Sequence, residues 1–344
     1  MNPLILRSSA ILLVFVLAMG YIAAESTYRS IEKDLKERFK FSWEENIHIQ
    51  HRLAREFGIE MPEEETDDVL VSAEALSLYA DGVVHENIPY ADHRQGVLDI
   101  VIPHHIKAEE HLPVFVFIHG GTWIGGTKDA ALNAHPAREI GRLNMIYVSI
   151  DYRLYPRVSF PEFLDDPAAA LLWVHENIEH YGGDPERIVV SGHSAGAHVA
   201  ALLTAQPQYL PTEVDNSIPK VVLFSGPFDL PAYEEVIQEI KFHRLLEQVF
   251  LSLFGGRRKL SDLSPVHKAG YVDREFLLVV GDKDEITPPY QSKTMHNVLL
   301  ETGNHSHLLL MPGVGHGGPM YYLDREYGHA TMLPTTLREF LTSW

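Results

Sequence analysis

The sequence predicts an α/β fold: a mostly parallel central β-sheet with helices on both faces, and a small cap or insertion. Three observations carry this. Short, largely apolar runs recur at Pro113–Ile118, Met145–Ile150, Ile188–Val190, Lys220–Phe224 and Phe276–Val280. Runs of this kind mark strands buried on both faces. Helical segments separate them, and strands that alternate with helices form parallel sheets joined by crossovers. Between Ile188–Val190 and the next helix stands Gly192-His193-Ser194-Ala195-Gly196, a glycine-flanked serine on a strand-to-helix turn.

The elements follow in order. Met1 to Ser9 carry Arg7, and Ala10 to Ala24 is an apolar run interrupted only by Gly20. A positive start before an apolar run of this length is a signal peptide or an N-terminal membrane anchor, ending at Ile22-Ala23-Ala24; a buried N-terminal helix is the competing reading. The rest of the chain is therefore expected to be secreted, periplasmic or in a secretory lumen, with possible membrane association through residues 1–24. Glu25 to Phe57 reads as a helical arm, with Ile31, Leu35, Phe39 and Trp43 at roughly helical spacing. Glu63 to Asp68 is an acidic linker. Residues 25–80 thus precede a main domain over 81–344.

In that domain Val83 to Ile102 alternates apolar and polar residues around Asp92–Gly96, the pattern of an antiparallel hairpin. Ala130 to Gly141 reads as a helix. Asp165-Asp166-Pro167 supplies N-cap residues and a helix-starting proline for a helix to His180. Gly182-Gly183-Asp184-Pro185 reads as a turn, and Ala195 to Leu203 as the helix after the serine. Pro227 to Ala269 breaks the rhythm, with no clear strand, and is expected to form the cap. Pro289–Glu301 is a helix, His307–Met311 a last strand and Pro334–Leu341 a closing helix.

Composition excludes some functions. The chain holds 47 acidic and 28 basic residues, a formal charge of −19, which repels phosphate backbones and argues against nucleic acid as a partner. It has no cysteine, so disulfides, thiolate nucleophiles and zinc-thiolate sites are excluded. Asn304-His305-Ser306 is a glycosylation sequon, relevant only on a eukaryotic secretory route. Oligomeric state is not legible.

The chemistry gathers at strand ends. Ser194 on its tight turn presents a hydroxyl, with Ala195 opening the helix behind it. A Cβ at Gly192 or Gly196 would collide with neighbouring backbone. After Ile118 comes His119-Gly120-Gly121-Thr122-Trp123, a loop whose amides can converge on an anion; Gly121 and Thr122, with Ala195, are the candidate oxyanion donors. Gly121 to Lys128 also approximates a phosphate-binding loop, but Thr127 precedes Lys128, the reverse of the required order. A serine needs a base. His316, in a glycine-rich loop after the last strand, fits; His193 and His198 flank the serine and cannot easily turn back on its hydroxyl, His119 is expected to brace its own loop, and His305 and His307 point elsewhere. Three acids, Asp282, Asp284 and Glu285, compete to orient the imidazole. Asp284 sits deeper in the loop and is preferred, with Asp282 second. No metal or organic cofactor is required.

The order Ser194, Asp284, His316 is that of the α/β-hydrolases. His-Gly-Gly-x-Trp at His119–Trp123, Asp151-Tyr152-Arg153-Leu154, Tyr181-Gly182-Gly183-Asp184-Pro185 and Gly-His-Ser-Ala-Gly-Ala-His at Gly192–His198 together resemble the carboxylesterases related to hormone-sensitive lipase. Two branches are similar: kynurenine formamidases and prenylcysteine methylesterase-like enzymes. Thr122 stands where the first usually have Tyr, and His119 departs from the second. The resemblance implies a serine esterase with a Ser194–His316–Asp284 triad and a small-molecule ester substrate. Hydrolysis of N-formylkynurenine is the alternative, and a catalytically silent binding protein a more distant one.

Overall fold

The apolar runs become strands of one sheet. A computed structural model describes residues 82–104, 111–206, 208–238, 243–323 and 332–344. Among these the strands are β1 (Gly82–Pro89), β2 (Val97–Pro103), β3 (Leu112–Ile118), β4 (Ile146–Ile150), β5 (Gly183–His193), β6 (Lys220–Phe224), β7 (Glu275–Gly281) and β8 (His305–Met311). They lie in the order β1-β2-β4-β3-β5-β6-β7-β8. β2 pairs antiparallel with β1 and β4. All pairs from β4 across to β8 are parallel. The expected signal segment, helical arm and acidic linker lie outside the described residues. No helix among the described residues is long and apolar enough to cross a membrane.

The longer helices are α1 (Ala131–Arg142), α2 (Asp165–Asn177), α3 (Ala195–Thr204), α4 (Leu230–Gln238), α5 (His243–Leu253), α6 (Tyr290–Glu301) and α7 (Leu333–Thr342). Every residue of β3, β4 and β6 is buried, which is why these strands carry apolar residues on both faces. On one face Phe115 and Phe117 stack against Tyr147, under Ile140 of α1 and Leu337 and Phe340 of α7. α2 packs on β5, and α3 packs on β3, β5 and β6.

The chain divides into two compact units. Val71–Pro231 with Leu253–Trp344 carries the sheet and the site; Ala232–Ser252 belongs to the other. The described part of the expected cap, between β6 and β7, is helical and contains no strand.

Three local expectations need correction. Asp165 and Asp166 do not cap α2: its N-cap is Leu164, and both aspartates lie in the first turn. There the Arg153 side chain donates to Asp166, Nη2 to Oδ1 at 2.7 Å and Nε to Oδ2 and Oδ1 at 2.9 and 3.1 Å, and the Arg153 amide donates to Oδ2 at 2.8 Å. The helix ends at Asn177 and tightens into a 3-10 turn over Ile178–Tyr181. The turn before β5 centres on Gly182, at φ 80°; Gly183 already pairs with Leu112 of β3. The sequon asparagine is a structural hub, with Nδ2 of Asn304 donating to Gly270 O at 2.8 Å and Oδ1 accepting from Val272 N at 3.0 Å. At 4% exposure, this amide is not accessible for glycosylation in the folded chain.

Candidate active site

A parallel sheet places the C-terminal ends of its strands on one edge, and loops from that edge share a crevice. Four loops meet there: those after β3, β5, β7 and β8. Ser194 follows β5 directly at φ 55°, ψ −121°, a conformation costly for any residue with a Cβ and held only where surroundings over-determine it. The Ser194 amide donates to Phe224 O at 2.9 Å, which anchors the turn to the end of β6. A Cβ on Gly196 would overlap the Ile118 carbonyl oxygen, and one on Gly192 the Gly196 carbonyl. Only glycine at both places lets α3 rise this close to β3.

The structure brings Ser194, His316 and Asp284 together. Ser194 Oγ lies 2.9 Å from His316 Nε2. His316 Nδ1 lies 2.9 Å from Asp284 Oδ2 and 3.1 Å from Oδ1. A carboxylate only accepts, so Nδ1 carries the ring hydrogen and Nε2 offers a lone pair to the serine hydroxyl. Asp284 Oδ1 also accepts from the amides of Ile286 and Thr287 at 3.0 and 2.8 Å, and Oδ2 from the Thr287 hydroxyl at 2.9 Å. Burial alone would push the Asp284 carboxyl up; the facing His316 and these donors outweigh it and hold it below the ordinary carboxylate range. It is therefore ionised where the imidazole needs a counter-charge.

The competition among the three acids has a geometric resolution. Asp282 turns away, and its Oδ1 accepts from Gly313 N at 2.7 Å. Together with Lys283 N donating to Val314 O at 2.9 Å, this ties the Asp284 loop to the His316 loop. Glu285 is exposed.

The glycine-rich loop runs beside the serine: a Cβ on Gly120 would stand 3.1 Å from Ser194 Cβ and 2.8 Å from the His193 oxygen. Gly121, Thr122 and Trp123 all have positive φ, at 118°, 53° and 62°. Among the described residues, the amides of Gly121 and Thr122 donate to no protein acceptor. Ala195 opens α3, where an amide has no intrahelical acceptor. His119 braces the loop from inside, with Nδ1 2.7 Å from Gly120 O. Tyr152 stacks on the His119 ring at 4.5 Å and donates to the His119 carbonyl at 2.8 Å. The apparent phosphate-loop lysine has another task. Lys128 is buried and donates to Asp99 and Asp129 at 2.7 and 2.8 Å, while its amide donates to Asp151 at 2.7 Å. Burial works against its charge, but Asp129 and Asp99 outweigh it and hold its pKa above the ordinary lysine value. The lysine pins the loop's far end to β2.

Sequence reasoning missed two contributors. Thr287 binds both carboxylate oxygens of Asp284. A hint lay in its place three residues after the aspartate, where a local side-chain-to-backbone turn forms. His193 does not reach the serine hydroxyl, as expected, but its Nε2 lies 3.1 Å from the His316 carbonyl oxygen. Nothing in the spacing signalled that contact, which joins residues 123 positions apart.

Comparison with known proteins bears on this arrangement. Residues 98–299, more than half of the chain, match the family model BD-FAE. That span contains Ser194 and Asp284 and stops before His316. A protein of Arabidopsis thaliana named isoprenylcysteine alpha-carbonyl methylesterase ICME is 28% identical over 256 residues, 70% of this chain and 58% of that one. Esterase LipC of Mycobacterium tuberculosis is 31% identical over 214 residues, 60% of this chain and 53% of that one. The chain thus spans little more than half the length of these relatives. A solved structure described as a truncated form of carbohydrate esterase from gut microbiota superposes with a TM-score of 0.61 at 20% identity, covering 76% of this chain and 95% of that one. The fold they share is that of the α/β-hydrolases.

Proposed function

The chain belongs to the BD-FAE family, and from that membership and the geometry at Ser194 we propose that it hydrolyses carboxylic esters of small or medium acyl groups. The supporting observation is the 2.9 Å approach of Ser194 Oγ to an imidazole whose other nitrogen is held by a buried carboxylate. Ser194 attacks the ester carbonyl carbon as His316 Nε2 takes the hydroxyl proton. The carbonyl π-electrons move to oxygen, which the amides of Gly121, Thr122 and Ala195 receive; one such donor is worth roughly 10²–10³ in rate. Asp284 stabilises the imidazolium without taking its proton. The tetrahedral intermediate collapses, the C–O bond to the alcohol breaks, and His316 returns the proton to the departing oxygen. Water then attacks the acyl-enzyme by the same route and releases the acid.

The test is turnover of p-nitrophenyl acetate and butyrate, beside N-formylkynurenine, by wild type and Ser194→Ala. Ester turnover and fluorophosphonate labelling in the wild type, both lost in a folded Ser194→Ala variant, are expected. Full activity in that variant refutes the mechanism; preference for the formamide moves the substrate to the alternative. Residues 1–24 would carry this chemistry across or onto a membrane, and N-terminal sequencing of the mature protein separates a cleaved signal from a retained anchor.

A further inference from the structure

His193 ends β5, immediately before the serine, and is 5% exposed. Its Nε2 faces the His316 carbonyl oxygen at 3.1 Å. A carbonyl oxygen only accepts, so Nε2 must carry the hydrogen. The His193 and His316 rings lie 4.7 Å apart, tilted by 44°. On its other side, a Cβ on Gly120 would come within 3.4 Å of His193 Nδ1. The ring therefore fills the space where the anion loop, the serine turn and the His316 loop meet.

We propose that His193 is a positioning residue: its Nε2–H bond to the His316 carbonyl ties the loop that carries the base to the strand end that carries the nucleophile. The bond fixes the Ser194–His316 distance from the backbone side, independently of Asp284, which holds the ring. The proposal rests on the reading of Ser194 as nucleophile and His316 as its base. An imidazole suits the place because it donates without charge. Lysine or arginine could also donate there, but as a permanent cation beside the imidazolium of each catalytic cycle. Burial, aided by the neighbouring His316, pushes His193 down to about 3, so it stays neutral while His316 cycles.

The experiment compares His193→Gln, whose amide nitrogen reaches the place of Nε2, with His193→Asn, which falls one methylene short. His193→Asn should lose roughly 10- to 100-fold in kcat, the scale of a misplaced reacting group, with KM within about twofold. Its fluorophosphonate labelling should slow in parallel. His193→Gln should recover most of both losses. Wild-type turnover by His193→Asn, or equal losses in both variants, overturns the proposal. Ser194→Ala runs beside them: activity there overturns the underlying reading instead. A second measurement needs no variant. Nitrogen-15 NMR of the wild-type imidazoles should show His193 neutral with its proton on Nε2 from about pH 5 to about pH 8, across the usual histidine range. A proton on Nδ1 alone, or a charged ring, overturns it.

Discussion

His198 should make the fold acid-sensitive, by an amount the structure allows to be worked out. The residue lies in α3, fully buried, with ring centroids 5.3 Å from Trp123 and from Phe160 and 5.8 Å from Phe254. The one protein hydrogen bond of its ring among the described residues runs from Nε2 to Leu263 O at 2.8 Å. Burial among these rings drives the pKa down from 6.5 to about 4, and the Leu263 bond offsets this only in part. The unfolded chain therefore takes up the proton first as pH falls. Stability from this group is fully present above pH 6.5 and is lost as pH falls towards 4. The loss runs at about 1.4 kcal/mol per pH unit between the two values, or about 2 kcal/mol from pH 7 to pH 5. The assay is urea denaturation of wild type and His198→Gln at pH 7, 6 and 5. Glutamine keeps an amide donor for Leu263 but does not titrate. Other acid-sensitive groups, His193 included, cancel in the difference between the two proteins. That difference should shift by about 2 kcal/mol against the wild type from pH 7 to pH 5. A difference flat to within about 0.5 kcal/mol would refute the assignment of a neutral, dry His198.

Four further outcomes are expected. Asp284→Asn should lower kcat about 10⁴-fold by spoiling the imidazole tautomer, whereas Asp282→Asn should cost under about tenfold, because it loosens only the Gly313 contact; initial rates on p-nitrophenyl butyrate separate the two. Thr287→Val is nearly isosteric and removes the hydroxyl that lies 2.9 Å from Asp284 Oδ2 and 2.8 Å from the Ser225 carbonyl oxygen, so kcat should fall roughly tenfold with KM unchanged, and Thr287→Ser should restore it. Lys128→Met leaves Asp99 buried without its cation and should cost about 3–5 kcal/mol in urea denaturation. Gly281→Ala would drive a methyl into the Val314 carbonyl, parting the Asp284 and His316 loops, so steady-state kcat should fall by at least about 10²-fold.

The strands were legible because burial on both faces demands apolar residues without interruption. β3, β4 and β6 differ from their predicted bounds by at most one residue. Strand order was not legible, since nothing in the runs says that β3 lies between β4 and β5. Ser194 and His316 stood out in the sequence because each sits in a glycine-rich loop directly after a strand. The acidic loop could be narrowed but not decided from sequence: choosing Asp284 over Asp282 depends on which carboxylate Gly313 N captures, a contact across two loops. Capping was misjudged at Asp165-Asp166 for the same reason. The local preference of aspartate for an N-cap lost to a guanidinium supplied by Arg153, 13 positions earlier. His193 and Thr287 escaped because their roles are relations between loops, which spacing along a chain does not encode.

The precision of the site comes first from backbone contact and only then from side-chain bonds. Gly192 and Gly196 press α3 against the ends of β5 and β3, Gly120 lays the anion loop on the serine turn, and Gly281 lets the Asp284 loop touch the His316 loop. At each of these places a single Cβ would meet neighbouring main chain. Main chain in close contact has few alternative arrangements, so the loops that carry Ser194, Asp284 and His316 are held in place by the backbone itself, as the proposed reaction requires. The side chains then fix what the backbone leaves free: Asp284 the ring of His316, Thr287 the carboxylate, and, on the proposal above, His193 the loop that carries the ring. On this ordering, losing one side-chain bond should slow turnover and leave the fold standing. A methyl at one of the four glycines should instead move whole loops, and no repair of a single hydrogen bond would recover the rate.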